Sequence, residues 1–578
     1  MNAYTIRRRV CEFDPQAWPA GVHPVLARVY AARGMCGGDE TEPRLARLAD
    51  PAALGGLDHA CDLLIDAIKK DHRICVVGDF DADGATGTAV AVRALRMLGA
   101  RDVGFCVPNR FRHGYGLSPG LVEEIRDESP DLIVTVDNGI ASHAGVDAAR
   151  ALGMRVIITD HHLPAATLPL ADAIVNPNVA GDAFSSKALA GVGVVFYLML
   201  ALRGRLRDAG AFGVGMRQEP DLSALLDLVA LGTVADLVPL DANNRVLVAA
   251  GLRRIRGGRA SAGVLALCRA AGRDPARIVA SDLGFALAPR INAAGRLDDM
   301  SLGIECLLAD DEAIANDLAT RLSAINAQRR DMQATMVEQS EATVAAFIAE
   351  HGGDAFPQGV VLYQPDWHAG IVGLVASKLK ERLHRPVVAF APMEEGSGDL
   401  RGSARSIAGF HLRDALAEVD TRCPGMIARF GGHAMAAGLS LALAHLEKFA
   451  AEFDAVARSR LDADLLERVL WTDGELDARE LCFEVALALR YAGPWGQAFP
   501  EPLFDNIFLV ESWRVVGEQH LQLRLLVDGR GEKFEAIMFN AAEAMPPPAR
   551  VRAVYQLDVD EWNGTERLRL LVRHIEAA

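Results

Sequence analysis

The amino-acid sequence predicts an α/β protein: a doubly wound parallel-sheet domain, a long connecting helix, a second α/β domain and a C-terminal OB-like β-barrel. Three observations predict it. Short β-rich runs alternate with helical segments between residues 71 and 303, residues 304–351 contain neither Gly nor Pro, and beyond about residue 465 the pattern changes to short alternating strands with hairpin signals. At 578 residues the chain is also longer than one hydrophobic core supports.

Residues 1–70 read as an N-terminal extension with helical stretches. The domain over 71–303 opens on the strand RICVVG (73–78) and a small-residue helix through AVAVRALRML. VGFCVP (103–108), DLIVTVD (131–137) and MRVIITD (154–160) give three more strands, and DAIVNP (172–177) a fifth. Over 304–351, Leu318, Leu322, Ile325, Met332, Met336, Val344, Phe347 and Ile348 recur at helical spacing; the length suits a connecting helix between two lobes. A second α/β domain, 352–460, begins with the strand GVVLYQPDW (359–367). Over 465–578, HLQLRLLVDGRGEKFEAIMF carries an Asp528-Gly529 turn and DEWNGTERLRLLV an Asn563-Gly564 turn, with a break at Pro546, Pro547 and Pro548 between them, as an OB-fold would.

Hydrophobic residues make up 51% of the chain and charged residues 24%, an ordinary globular balance that excludes disorder. MNAYTIRRRV has no apolar run of signal-peptide length, and no uncharged apolar stretch of roughly 18 residues appears, so a soluble, cytoplasmic protein is expected. Nine cysteines with no CxxC pair argue against a disulfide framework and a zinc ribbon. A net charge of −16 argues against a broad basic coat for duplex binding. It leaves room for a narrow basic channel, for which Arg110, Arg112 and His113, or Arg253, Arg254, Arg256 and Arg259, are local clusters.

The chemistry concentrates at strand ends. GDFDADG places Asp79, Asp81 and Asp83 at alternate positions after a strand, on one face if the segment stays extended. DLIVTVDNG ends in Asp137, and MRVIITDHH in Asp160, His161 and His162. The carboxyl ends of strands in an open α/β sheet line the ligand crevice. Carboxylates this close repel strongly in an apolar surround unless cations neutralise them. Hard carboxylates with some imidazole suit manganese or magnesium, as one ion or two. A lone Asp at a strand end is commonly a helix N-cap, and Asp137 alone fits either role; the coincidence of three such ends favours a metal site. There is no GxGxxG and no GK[ST], which excludes a dinucleotide fingerprint and a P-loop.

These residues resemble the DHH phosphoesterase superfamily, and within it the bacterial single-strand-specific exonucleases. GDFDADGATG, VDNG, TDHH, AGVGVVF (190–196), LGTVADLVPL (231–240), PRINAAGR (289–296), WHAGIVGLVASKLKERLHRPV (367–387), GSARS (402–406) and FGGHAMAAG (430–438) all carry the likeness, in one order, from about residue 70 to the end. The resemblance implies a phosphodiesterase with two ions, Mn2+ or Mg2+, that removes nucleotides from the 5′ end of single-stranded DNA in repair and recombination. It implies Asp79, Asp81, Asp83, Asp137, His161 and Asp236 as metal ligands, His162 at the scissile phosphate, and Asp160 orienting the histidines. Where many members carry a His four residues before the acidic pair, this chain has Val77, with Asp79 between. A single-strand-binding protein and a helicase are implied partners.

For the substrate, PRINAAGR offers Arg290, Asn292 and Arg296, and PNRFRHGYG offers Arg110 and Tyr115, which could stack on bases. In the second domain Trp367, His368, Arg401, Ser403, Arg405 and His433 lie in Gly-rich loops whose amides approach phosphate closely, with Gly432 and His433 matching the motif that grips the substrate's end. Tyr115 is equally a stacking residue and a structural one, and Arg401 and Arg405 could be plain surface charges. Trp513, Phe534, Phe539 and Trp562 of the barrel are candidates for stacking on bases, although most aromatics in a small barrel are core. Two other functions compete: a phosphodiesterase of short oligonucleotides or cyclic dinucleotides, and a non-catalytic replication scaffold. The connecting helix and third domain favour the exonuclease, since a small substrate needs neither.

Overall fold

The computed structural model describes residues 4–578 except 13, 111, 214–216, 352–355, 395, 397, 518, 528–530, 542–545 and 563–564. Two compact units emerge, Arg8–Ile325 with Trp471–Ala578, and Met1–Arg7 with Asn326–Leu470. Strand β1 (Tyr4–Arg8) is followed in the larger unit by β2 (Ile74–Val77), β3 (Val103–Cys106), β4 (Leu132–Val136), β5 (Arg155–Thr159) and β6 (Ala173–Val175). The last five form one all-parallel sheet in the order β3-β2-β4-β5-β6. Every residue of β2 and β4 is buried, because helices cover both faces. In this order the winding reverses between β2 and β4, and the crevice at such a switch point opens at the strands' carboxyl ends. Asp79 and Asp137 stand at those two ends.

The Gly- and Pro-free stretch is not one helix. A helix closes at Leu308, and the long one runs over Glu312–His351. Asp311 makes the break: its carboxylate accepts from the amides of Ala313 and Ile314 and starts the second helix. The connection therefore begins at 312 and not at 304. The side chains of Phe347 and Ile348 lie outside the described residues.

The smaller unit holds β7 (Val360–Tyr363), β8 (Val387–Pro392), β9 (Asp399–Arg405), β10 (Arg429–Gly432) and β11 (Ala436–Ala442), in the order β10-β11-β9-β8-β7. β7 and β8 are parallel and the other pairs antiparallel. Phe390, Phe449 and Phe453 centre its core. Strand β12 (Arg468–Thr472) pairs with β1.

The C-terminal strands β13 (Phe504–Val516), β14 (His520–Val527), β15 (Lys533–Met538), β16 (Arg550–Trp562) and β17 (Thr565–Ala577) close into a barrel, β13-β14-β15-β17-β16. All neighbours are antiparallel except β15 and β17, the five-stranded OB arrangement. The Asp528-Gly529 and Asn563-Gly564 turns and the Trp562 side chain lie outside the described residues. No helix among the described residues is long and apolar enough to cross a membrane.

The barrel is tied to the N-terminal segment through a buried charge. Asp505 on β13 has no exposed side chain and accepts from Arg8 and Arg552, each at 2.7 Å, and from the Thr472 hydroxyl. Burial alone would raise this carboxyl, but these hydrogen bonds outweigh it and hold it below the usual range. Asp505→Ala should cost about 2–3 kcal/mol, under the range for fully buried pairs because both arginines keep access to water. Because the folded carboxyl titrates below the unfolded one, its contribution is complete above about pH 4–5 and is lost as pH falls through the lower, folded value. Urea titration of the wild type and Asp505→Ala at pH 7 and pH 3 checks this: the gap between them should narrow at the lower pH, and an unchanged gap contradicts the assignment.

Candidate active site

Asp79 follows closely on the end of β2, but the next two acids do not continue the strand. Asp81 is the N-cap of the helix Ala82–Leu98, its Oδ1 accepting from the amides of Asp83 (2.9 Å) and Gly84 (3.0 Å). Asp83 therefore sits in the first helical turn, so the one-face alternation expected of an extended GDFDADG is replaced by a strand end, a cap and a helix start. Small residues let this turn nucleate tightly against the sheet: a Cβ on Gly84 would lie 2.5 Å from the backbone N of Asp79. The Asn292 carboxamide oxygen accepts from the Ala82 amide (2.8 Å), which fastens the PRINAAGR helix to the same turn.

Asp83 is gripped from the other side. Its two oxygens accept from the amides of Gly191 (2.6 Å) and Val192 (2.9 Å), the first turn of the helix Gly191–Asp208. The positive end of that helix is thus spent on a carboxylate. A Cβ on Gly191 would stand 2.4 Å from the Asp137 Cβ, so glycine is required for the approach. The sequence shows AGVGVVF plainly but not its target; a GxG opening a helix is the available signal.

Asp137 and His161 close the cluster. Asp137 adopts a left-handed backbone (φ +61°), and its Oδ1 lies 3.0 Å from His161 Nε2. The same nitrogen is 3.4 Å from Asp236 and 4.0 Å from Asp83. Asp236, expected only from the resemblance, caps the helix Leu226–Ala235 and is thereby delivered to the cluster. Asp160 is fully buried, accepting from the Ile140 amide (2.9 Å), both histidine amides and His162 Nδ1 (2.7 Å). Burial pushes it up, but the His162 hydrogen bond and the two imidazoles pull it lower than an ordinary Asp. For His162 burial pulls down, yet the bond to Asp160 and the surrounding carboxylates win and raise it. The Tyr115 hydroxyl donates to the Asp137 carbonyl (2.9 Å) and lies 3.2 Å from His162 Nδ1. The tyrosine is 48% exposed.

Burial and mutual repulsion push Asp79, Asp137 and Asp236 well above the carboxylate range, and Asp83 up to about 7. Asp79 Oδ1 and Asp236 Oδ2 are buried with no hydrogen-bond donor among the described residues. Three sets of ligand atoms lie within 4.8 Å of one another: Asp79, Asp81 and Asp137; Asp83, His161 and Asp236; Asp137, His161 and His162. Orphaned oxygens, repelling carboxylates and neutral-capable imidazoles together fit divalent cations.

Several basic residues make hydrogen bonds and ion pairs within the fold. Arg290, expected at the substrate, donates to Ser323 Oγ and to the carbonyls of Ala286 and Ala270, which braces its helix. Arg112 and His113 pair with Glu124, and Arg253, Arg254 and Arg256 donate to backbone carbonyls. Arg110 lies with its guanidinium 4.2 Å above the Phe80 ring and lines a shallow cleft with Asn109, Gly295, Asp298 and Met300. Arg296 is in the last turn of the PRINAAGR helix.

In the smaller unit, alternation along β9 puts Arg401, Ser403 and Arg405 on the half-open face while Leu400, Gly402 and Ala404 are buried. Arg405 donates to Ser403 Oγ (3.0 Å), and a Cβ on Gly373, in the first turn of the helix Val372–Leu383, would lie 2.8 Å from that oxygen. His368 precedes this helix and accepts from the Gly370 amide. Gly432 (φ +142°) ends β10, and the His433 amide donates to the Ala436 carbonyl across the turn to β11. Trp367 is buried, donating to Gln339. In the barrel, Trp513 and Phe539 are exposed and Phe534 packs against the core.

Residues 73–233 match the model of the DHH family N-terminal domain, 357–459 the DHHA1 domain and 472–574 the RecJ OB domain. The single-stranded-DNA-specific exonuclease RecJ of Dickeya dadantii is 51% identical over the whole of both chains. The crystal structure of RecJ in complex with Mn2+ from Thermus thermophilus superposes with a TM-score of 0.81 at 32% identity, covering 99% of this chain and 80% of that one. The Mg2+ complex of the same protein gives 0.75 at 31% identity, covering 99% and 79%. A parallel sheet ending in Asp79, Asp137 and the Asp160-His161-His162 run, an OB barrel and end-to-end identity of this order together place the chain in the RecJ family of DHH proteins.

Proposed function

We propose that this chain is a metal-dependent exonuclease that hydrolyses phosphodiester bonds from the 5′ end of single-stranded DNA, acting in DNA repair and recombination. The observation that carries it is the convergence of Asp79, Asp81, Asp83, Asp137, His161 and Asp236 on one crevice, with buried oxygens that no donor among the described residues satisfies, in a chain half identical to such an exonuclease. Those six side chains would hold two ions, manganese or magnesium, with Asp79, Asp81 and Asp137 on one side and Asp83, His161 and Asp236 on the other. When bound, such ions polarise the phosphate, acidify a water and stabilise the departing 3′ oxygen.

The chain's own groups do the rest. Asp160 fixes the His162 ring, which turns its other nitrogen to a nonbridging phosphate oxygen, and the Tyr115 hydroxyl keeps the HGYG loop against both. The Gly191 and Val192 amides hold Asp83 in one orientation. Arg401, Ser403, Arg405, His368, Gly432 and His433 bind the strand's phosphates, while Arg110 and Arg296 serve the strand near the first acidic loop. The functional division is an N-terminal extension over 1–70, a catalytic domain from 71, the connecting helix, a substrate-binding domain over 352–460 and an OB-fold over 465–578. A single-strand-binding protein and a helicase as partners, and a cytoplasmic location, belong to the same proposal.

The barrel and the arginine-bearing strand favour a long strand over a dinucleotide. Incubation with Mn2+ and either a long 5′-phosphorylated single strand or a dinucleotide decides: the long strand should be degraded, and cleavage of the dinucleotide alone overturns the proposal. Asp81→Ala and His161→Ala should each lower nuclease activity on the order of a thousandfold while single-strand binding survives. Excess chelator should do the same to the wild type, and full activity in either case contradicts the ligand assignment. Gly191→Ala should weaken Mn2+ affinity roughly 10- to 100-fold by calorimetry with the circular dichroism unchanged; wild-type affinity would show that the amide grip on Asp83 is immaterial.

A further inference from the structure

Phe285 is 81% exposed and Leu237 65% exposed, although both stand in densely packed surroundings. Leu283, Ala286 and Leu287, the neighbours of Phe285 in chain, are buried, as is Ala230 in the helix that leads to Leu237. The segments that carry them pack together at Val234, two residues before Asp236. Leu237 follows it directly, and a Cβ on Gly284 would lie 3.2 Å from Val234 Cγ1.

The backbone is unusual at both. Leu237 is left-handed (φ +59°), and Leu283–Leu287 is a turn of π-helix interrupting the approach to the PRINAAGR helix. Such deformations persist only where the surroundings impose them, and they cluster at functional sites. Here they leave one aliphatic side chain open to water next to Asp236 in the chain, and one aromatic ring open on the segment packed against Val234.

Two side chains are far short of the roughly 800 Å² per partner that a stable protein interface needs. A single nucleobase is covered by one ring, and a base in an unpaired strand has a free π-face. A phosphate held at the acidic cluster brings its flanking bases within one nucleotide of Asp236. Stacking also tolerates any base, as an enzyme that removes nucleotides in succession requires. We infer that Phe285, with Leu237 on the neighbouring segment, is a stacking platform for a nucleobase of the single strand near the scissile phosphate. The inference rests on the exonuclease proposal above.

The test uses the full chain in excess EDTA, so that the strand survives, and reads Kd by fluorescence anisotropy for a 5′-phosphorylated oligodeoxynucleotide and a series with one abasic position each. Phe285→Ala leaves no cavity in the fold because the ring is exposed. It should weaken binding of the intact strand roughly 5- to 150-fold, and Phe285→Trp should restore it. One abasic position should cost the wild type a similar factor and cost Phe285→Ala nothing further. Unchanged affinity in Phe285→Ala, or an abasic penalty equal in both proteins, overturns the platform. Degradation of the intact strand by wild-type protein in Mn2+ is run alongside. Its failure would overturn the exonuclease proposal itself, whereas degradation with an indifferent Phe285 overturns the platform alone.

Discussion

Repulsion among buried carboxylates is the constraint around which the larger unit is organised. Asp79, Asp83 and Asp137 are buried, Asp236 is half-buried beside them, and each makes ionisation of the others harder. Backbone dipoles relieve part of this. Asp81 is held by the start of one helix and Asp83 by the start of another, two uses of the positive helix end within a few residues. What the amides leave unbalanced, notably the orphaned oxygens of Asp79 and Asp236, is the charge that cations would meet.

Holding that much charge in one place demands close backbone packing, which small residues supply. Gly84 and Gly191 stand where any side chain would strike Asp79 or Asp137. Asp137 itself is twisted into the left-handed region immediately after β4. Asp160 stands apart electrostatically: its partners are two histidines and three amides, so it remains a hydrogen-bond acceptor that fixes His162. One sheet edge thereby carries two kinds of acid, those that repel one another and one that is fully satisfied.

Much of this is legible in the sequence, and the failures have physical causes. Short β-rich runs mark the parallel strands, and Asp79, Asp137, Asp160, His161 and His162 follow from strand ends. Asp236 does not, because a helix C-terminus has no distinctive residue pattern and it is tertiary packing that brings it to His161. The start of the connecting helix is hidden because an Asp311 side-chain cap, with neither Gly nor Pro, makes the break. The carbonyl partners of Arg290 are not legible either, because sequence does not show whether a guanidinium meets carbonyls or solvent. Phe285 gives no signal either, since its exposure depends on a π turn that spacing alone does not reveal. Arg401, Ser403 and Arg405, expected in Gly-rich loops, stand instead on strand β9, whose Gly402 lets the backbone pack closely on Phe390.

The central claim is that the acidic cluster is a two-cation site, and diffraction from manganese-soaked crystals at the manganese absorption edge tests it most directly. The account predicts two anomalous peaks, one beside Asp79, Asp81 and Asp137 and one beside Asp83, His161 and Asp236. Absence of any peak there, or peaks only elsewhere on the molecule, would contradict it.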